Sequence, residues 1–231
     1  MTTTLTSYVQ GAWHAGGGDP RTLYNATTEE ALATVSSDGI DFGGVLEHAR
    51  TQGGPALRAM NFAERGAMLK GLSAAIHEHR EELLALSTAN AGTTRKDGKF
   101  DLDGATGTMS AYSYFAKECG PRGFLSDGDG IQLGRTARFW GQHIYVPKQG
   151  AAVHINAFNF PAWNMIEKAA CALLAGMPVI EKPGTATAMV AWRIAQIVIE
   201  SGLLPEGAWQ FIAGSTGDLL DKMGPQDVLA F

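Results

Sequence analysis

The stretch "AAVHINAFNFPAWN", residues 151–164, sets the architecture expected for this chain. An apolar run predicts a buried strand, and Pro161 is typical of the first turn of a helix, which we expect to run to Ala175 and end at Gly176. Three more apolar runs follow, "MPVIEKP", "AWQFIAG" and "DVLAF", separated by helical patterns such as "TATAMVAWRIAQIVIES". This alternation predicts an α/β fold with a parallel sheet, in which ligands bind beyond the carboxyl ends of the strands.

The segment before residue 151 is less regular. Residues 1–36 read as short strands and turns, and two helices follow, with Asp41 and Asn61 as candidate N-caps. The polar stretch "RKDGKFDLDG" predicts a break before a helix over 102–117. Residues 120–130 read as a loop.

We therefore divide the chain into three parts. Residues 1–130 hold an N-terminal hairpin and helices, and 131–150 form an extended hairpin arm. Residues 151–231 form a Rossmann-type βαβ core.

Composition excludes several classes of protein. The 231 residues carry a net charge of -5, which disfavours a nucleic-acid-binding protein. No apolar run is long enough to span a membrane, and the N-terminus does not resemble a signal peptide. The two cysteines lack metal-site spacing, so we expect no metal, and the sequence is typical of a cytoplasmic protein.

Polar residues at the predicted strand ends each allow a structural and a functional interpretation. Asn159 could cap a helix or donate its amide to an oxyanion. Lys182 could be a solvated lysine or a cation held over the ligand crevice. The segment "GSTG", residues 214–217, could be a plain turn or a loop that lets backbone N–H groups approach a phosphate.

The cysteines and His154 favour structural interpretations. Cys171 has apolar neighbours on its predicted helix, which favours an inert core thiol. Cys119 precedes a Gly-Pro turn and has no activating base near it in the sequence. His154 lies within a predicted strand and is interpreted as structural.

Taken together, the motifs resemble the N-terminal half of an aldehyde dehydrogenase. In that family an aromatic-Asn-Phe-Pro segment, a helix and a strand ending in Lys-Pro occur in this order. Here they are "AFNFP" at 157–161 and "VIEKPGT" at 179–185. The resemblance extends to "AERGAMLKGLSAAIHEHREELLAL" and "GLLPEGAWQFIAGS". Within the family, "VHINAFNFPAWNMIEKAA" and "GSTGDLLD" are similar to the branch that acts on CoA-linked semialdehydes in aerobic aromatic-acid degradation.

The resemblance implies a function and a set of site residues. Asn159 matches the asparagine that stabilises the oxyanion formed when a cysteine thiolate attacks the aldehyde. The positions matching the cofactor site are Ile155, Ala157, Phe158, Lys182, Thr185, Gly214, Ser215 and Gly217. Family members are usually dimers or tetramers, which makes the hairpin arm a candidate oligomerisation element.

The resemblance also implies that part of the machinery lies outside residues 1–231. The family's nucleophilic cysteine and general-base glutamate should follow "DVLAF" in a catalytic domain, so we expect residues 1–231 alone to be inactive. The alternative is a non-catalytic nucleotide-binding or assembly module with the same fold.

The expected cofactor is NADP. NAD-preferring members often carry a glutamate at the position of Thr185, where a carboxylate would repel a 2′-phosphate and a hydroxyl can donate to it. Glu181 should face away from the cofactor if Lys182 faces it, because successive strand residues point to opposite sides.

Overall fold

In a computed structural model, residues 2–231 are described. The strands are β1 Thr3–Leu5, β2 Ser7–Val9, β3 Ala12–His14, β4 Arg21–Tyr24, β5 Ala31–Val35, β6 Leu125–Gln132, β7 Trp140–Tyr145, β8 Ala152–Ile155, β9 Val179–Lys182, β10 Trp209–Phe211 and β11 Val228–Ala230. The helices are α1 Phe42–His48, α2 Gly54–Ala59, α3 Phe62–Glu78, α4 Arg80–Leu86, α5 Arg95–Cys119, α6 Trp163–Ala175 and α7 Ala188–Glu200. Within residues 2–231, no helix is both long enough and apolar enough to cross a membrane.

The central sheet has six strands in the order β11-β8-β9-β10-β2-β3. Strands β11, β8, β9 and β10 run parallel, and the hairpin of β2 and β3 extends the sheet in the antiparallel direction. The α/β parallel sheet predicted for residues 151–231 is therefore confirmed. Its parallel strands deliver their carboxyl ends to one edge.

The two faces of this sheet bury different sets of residues. Ala152, Val179 and Phe211 point into a large core with helices α3, α5, α6 and α7. Val153, Ile180 and Ile212 point into a smaller core with helix α1. Side chains alternate between the faces along each strand, so neighbouring residues at a strand end serve different faces.

Helix α5 begins earlier than predicted. The expected break at "RKDGKFDLDG" is wrong, since the helix runs from Arg95 to Cys119 and is capped at Thr94, whose hydroxyl accepts from the N–H of Asp97 at 3.2 Å. Glycines in this helix mark close approaches rather than a break. A Cβ added to Gly104 would lie 2.3 Å from the Trp163 ring, so the helix needs glycine there to pack against α6.

The hairpin also differs from the prediction. The segment 120–130, interpreted as a loop, supplies most of β6, which begins at Leu125 and pairs antiparallel with β7. The register shifts between Asp127 and Ile131, and Gly128 adopts a φ of 67° within that irregularity. The turn-like composition thus reflects a bulged strand.

Helix caps agree with the sequence in part. Asn61 forms a capping box with Glu64, as predicted for the start of α3. Asp41 precedes α1 but its side chain does not cap it, and neither does Thr187 for α7. The Thr187 hydroxyl instead donates to the carbonyl of Phe158 at 2.6 Å.

Candidate functional site

The loop between β8 and α6 is held from three directions. The N–H of Asn156 donates to the carbonyl of Lys182 at 2.8 Å, and the N–H of Ala157 donates to Oδ1 of Asn164 at 2.9 Å. A Cβ added to Gly184 would lie 2.9 Å from Cα of Phe158, so this loop passes directly over the chain that follows β9. Position 184 must therefore be glycine for the loop to lie this close to the chain.

Asn159 is at the exposed tip of this loop and does not cap α6. That cap is Asp101 of α5, whose carboxylate accepts from the N–H groups of Ala162 at 3.1 Å and Trp163 at 2.7 Å. Within residues 2–231 the Asn159 side chain makes no hydrogen bond, which leaves its amide available to a ligand. Burial raises the pKa of Asp101, and its two backbone hydrogen bonds oppose that shift.

A buried polar network lies beneath the loop on the α6 face of the sheet. Oε1 of Glu181 lies 2.6 Å from Nδ1 of His154, and Oε2 accepts from the Asn156 amide at 2.7 Å. Lys168 donates to Oδ1 of Asn156 at 3.0 Å and also to Oδ1 of Asn164. The structural interpretation of His154 is confirmed by these contacts. The network thus connects the ends of β8 and β9 to Asn164, which accepts a hydrogen bond from the N–H of Ala157.

The opposite face of the same sheet edge is open. A cleft of about 920 Å³ lies there, between the strand ends and the loops of the three-stranded sheet β1-β5-β4. The residues predicted for the cofactor that line it are Ile155, Lys182, Thr185, Gly214, Ser215 and Gly217. Ala157, Phe158 and Asn159 do not line it; they lie exposed on the neighbouring loop.

Lys182 is a cation that borders this cleft. Its ammonium has a single hydrogen bond within residues 2–231, a long one of 3.4 Å to the hydroxyl of Thr185. Burial lowers the pKa of Lys182, and the charge of Arg21 lowers it further. Glu181 is fully buried on the other face, as the strand alternation predicted, and does not neutralise this lysine.

The "GSTG" segment is a tight turn that borders the cleft. Gly214 and Gly217 adopt positive φ values of 116° and 47°, and the N–H of Gly217 donates to the Ser215 hydroxyl at 3.2 Å. A Cβ on Gly217 would lie 2.4 Å from the Phe42 ring. The glycines are therefore required by conformation and by contact, and both the plain-turn and the phosphate-loop interpretations stay open.

Several residues of the site were not found from the sequence. Arg21, Asp19 and Asp38 line the cleft, and Asp101, Asn164 and Lys168 support the loop. For the first three the only signal is their place in a turn-rich stretch near the N-terminus. For Asn164 and Lys168 the signal is their spacing of one helical turn, on the side of α6 that faces the loop.

Neither cysteine lines the cleft. The prediction that Cys171 is a core thiol is wrong, because it is exposed. The buried positions of α6 include Ile166, Ala170 and Leu174, and Cys171 lies outside that stripe, where it lines a surface pocket together with Tyr112. Burial raises the pKa of Cys119, which disfavours its thiolate.

Comparison with known proteins identifies the family. The sequence profile described as the aldehyde dehydrogenase family matches residues 13–228. The chain belongs to the aldehyde dehydrogenase family. The resemblance drawn from "AFNFP" and "VIEKPGT" is confirmed at this level.

Two characterised relatives within the family are semialdehyde dehydrogenases. The chain is 45% identical over 227 residues to the 3,4-dehydroadipyl-CoA semialdehyde dehydrogenase of Aromatoleum evansii, covering 98% of this chain and 44% of the relative. It is 30% identical over 212 residues to the NADP(+) succinate-semialdehyde dehydrogenase of Escherichia coli, covering 90% of this chain and 42% of the relative. The chain thus spans less than half the length of these aldehyde dehydrogenases.

A solved aldehyde dehydrogenase structure agrees with the fold. The NAD-dependent benzaldehyde dehydrogenase from Corynebacterium glutamicum matches with a TM-score of 0.78 and 23% identity, over 94% of this chain and 46% of that one. At this identity the likeness concerns the fold alone. The choice of cofactor must therefore be argued from the side chains of the cleft.

Proposed function

We propose that the full-length protein is an NADP-dependent aldehyde dehydrogenase that oxidises a CoA-linked semialdehyde, such as 3,4-dehydroadipyl-CoA semialdehyde, to the carboxylic acid. The observation that carries the proposal is that the unbonded Asn159 amide, on the loop after β8, and the weakly bonded Lys182 ammonium, at the end of β9, lie at the same edge of the sheet. We take the substrate class from the 45% identical relative, which is named 3,4-dehydroadipyl-CoA semialdehyde dehydrogenase.

Asn159 supplies the oxyanion donor in this proposal. A cysteine thiolate attacks the aldehyde carbon, and the amide of Asn159 donates to the oxygen that becomes negative in the thiohemiacetal. NADP, when bound, supplies the hydride acceptor. Loss of a hydride turns the thiohemiacetal into a thioester, and water, whose proton goes to the general base, then hydrolyses it to the acid and the thiolate.

The nucleophile and the general base belong to the rest of the enzyme. Cys119 has a raised pKa, Cys171 is exposed on α6, and neither borders the cleft. We therefore expect residues 1–231 alone to show no dehydrogenase activity.

The cleft residues suit a phosphorylated cofactor. Lys182 keeps a positive charge without a carboxylate partner, and Thr185 offers a hydroxyl three residues further on. Glu181 cannot repel a 2′-phosphate because it is buried on the other face. We therefore assign NADP, with Ile155, Ala157, Phe158, Gly214, Ser215 and Gly217 completing the site.

Assembly and location complete the proposal. The arm at 131–150 exposes apolar side chains, among them Ile131, Phe139 and Trp140, each at least 55% exposed. Such a patch favours an interface between subunits, and we propose a homodimer or homotetramer acting in the cytoplasm. Residues 1–130 and 151–231 then form the cofactor-binding part.

Replacing Asn159 by alanine in the full-length enzyme tests the oxyanion role. We expect kcat to fall about 10²- to 10³-fold, the usual effect of removing one oxyanion donor, while binding of the cofactor is kept. Asn25→Ala, in a turn far along the chain from this loop, is the matched control and should leave kcat unchanged. Normal turnover in Asn159→Ala would show that the assignment is wrong, and nucleotide binding without any aldehyde oxidation by the wild type would favour a non-catalytic module.

The cofactor is tested separately. We expect a higher kcat/KM with NADP than with NAD, and we expect Thr185→Glu to reverse or narrow that preference by repelling the 2′-phosphate. Preference of the wild type for NAD would contradict the assignment and leave the oxyanion role standing.

A further inference from the structure

A second wall of the cofactor cleft comes from the N-terminal part of the chain. Arg21 is the first residue of β4, an outer strand of the three-stranded sheet, and pairs with Val35 of β5. Both residues line the cleft together with the segment that follows β5. Thus a cation some 160 positions away in the sequence faces the same space as Lys182.

Arg21 has no partner for its charge. Across residues 2–231 its guanidinium forms neither a hydrogen bond nor an ion pair. Two carboxylates share the cleft, Asp19 and Asp38, but neither forms an ion pair with Arg21 or Lys182. The carboxylate of Asp38 lies against the backbone of Gly18, where an added Cβ would be 2.9 Å from Oδ2.

Two cations that line one cleft, neither of them paired with a carboxylate, repel each other. The pKa of Lys182 is accordingly lowered, mostly by burial and further by the charge of Arg21. An anion with two negative charges would turn this repulsion into attraction. The hydroxyls of Thr185 and Ser215 border the same space and can donate to phosphate oxygens.

We infer that Arg21 is a specificity-determining residue that binds the 2′-phosphate of NADP together with Lys182. The inference rests on the NADP assignment made above. A planar guanidinium presents paired donors to phosphate oxygens, whereas lysine acts as a point charge, so the two side chains hold the group in different ways. The uncharged ribose hydroxyls of NAD would gain little from either cation.

The experiment is calorimetric titration of the full-length enzyme with 2′,5′-ADP and with 5′-AMP. These probes differ by the 2′-phosphate alone and need no turnover. We expect Arg21→Gln to weaken binding of 2′,5′-ADP about 10- to 100-fold, the effect of losing a charge-assisted hydrogen bond. Binding of 5′-AMP should change less than about twofold, which is the sign of a phosphate contact rather than a fold defect.

Two further variants frame the result. Arg21→Lys keeps the charge and should recover part of the affinity for 2′,5′-ADP. Arg95→Gln, at an exposed arginine of α5 that pairs with Glu81, is the matched control and should change neither probe.

Each outcome has a separate meaning. Equal binding of both probes by the wild type would overturn the NADP assignment and this inference with it. Preference for 2′,5′-ADP that survives in Arg21→Gln would overturn the role of Arg21 alone. Equal weakening of both probes would also overturn it, since Arg21 would then act on the fold or on general affinity.

Discussion

Glu181 and Lys182 are neighbours in β9, yet their side chains lie in opposite environments on the two faces of the sheet. On the α6 side Glu181 is fully buried and contacts His154 and Asn156 through both of its oxygens. On the α1 side Lys182 borders an open cleft and has one long hydrogen bond, to Thr185. The protein satisfies both carboxylate oxygens of Glu181, whereas the Lys182 ammonium makes only that one hydrogen bond.

This difference distinguishes a polar side chain that stabilises the fold from one that is available to a ligand. A buried carboxylate is tolerated only when its hydrogen bonds are made, so the Glu181 network must hold the strand ends and the loop of Asn159 in place. A cation with no carboxylate partner contributes little to the stability of the fold, which favours the binding role proposed for Lys182. Changes on the α6 side should therefore cost stability, and changes on the cleft side should cost affinity.

The largest expected effect is that of Glu181→Ala. Removing this side chain leaves the buried donors of His154 and Asn156 without an acceptor, and each such group costs roughly 1–3 kcal/mol. We expect the free energy of unfolding to fall by about 3 kcal/mol, measured by urea denaturation. Glu81→Ala, at an exposed glutamate of a surface ion pair, is the control and should change it by less than about 1 kcal/mol. If the two variants were equally stable, the Glu181 network would not stabilise the fold.

Gly184→Ala should have an intermediate effect. The new methyl group would lie 2.9 Å from Cα of Phe158, so the loop that carries Asn159 must shift, at a cost of about 1–3 kcal/mol. Because that loop is displaced, kcat of the full-length enzyme should fall as well. Gly107→Ala is the matched control: an added Cβ there meets no atom within 4 Å, and alanine should stabilise helix α5 by about 0.5–1 kcal/mol. Full activity in Gly184→Ala would show that the close approach is unimportant.

The smallest effect on stability is expected from Lys182→Met. The unfolding free energy should change by less than about 0.5 kcal/mol, since a near-surface cation with one long hydrogen bond is replaced by a chain of similar length. A loss above about 2 kcal/mol would mean that the lysine belongs to the fold.

The lowered pKa of Lys182 leads us to expect that the affinity for 2′,5′-ADP depends on pH. Burial and Arg21 lower the pKa of Lys182, so its positive charge is present at low pH and is lost at a lower pH than that of a free lysine. Affinity for 2′,5′-ADP should therefore decline as the pH rises, and the decline should begin below the pH range in which an ordinary lysine, with a pKa of about 10.4, loses its charge. Lys182→Arg keeps its charge throughout and should remove that decline; a decline of the same size in the variant would assign it to another group.

The order of strands and helices from residue 151 could be predicted from the sequence because its signals are local. Apolar runs bounded by glycine and proline define the strands, and the capping box of Asn61 and Glu64 involves residues three apart. The alternation of side chains along β9 likewise separated Glu181 from Lys182 before any contact was known.

Features that depend on distant partners could not be predicted in this way. The start of α6 is capped by Asp101, from a helix far earlier in the chain, so the capping role that the sequence left open for Asn159 is filled by another residue. The glycines of α5 look like a break until the Trp163 ring that rests on Gly104 is known. Arg21 joins the cleft only because two separate sheets meet there.

The pairing of β2 with β10 has a consequence for the synthesis of the protein. Tyr8 pairs with Phe211, and the hydroxyl of Ser7 accepts from the N–H of Ala213 at 2.9 Å. The first strands leave the ribosome early, but their partner emerges some 200 residues later. Contacts so far apart in sequence form slowly, and the unpaired edge exposes backbone groups that can join another chain. The N-terminal hairpin therefore stays unpaired with β10 until β10 has been synthesised, and we expect the nascent chain to be most prone to aggregation in that interval.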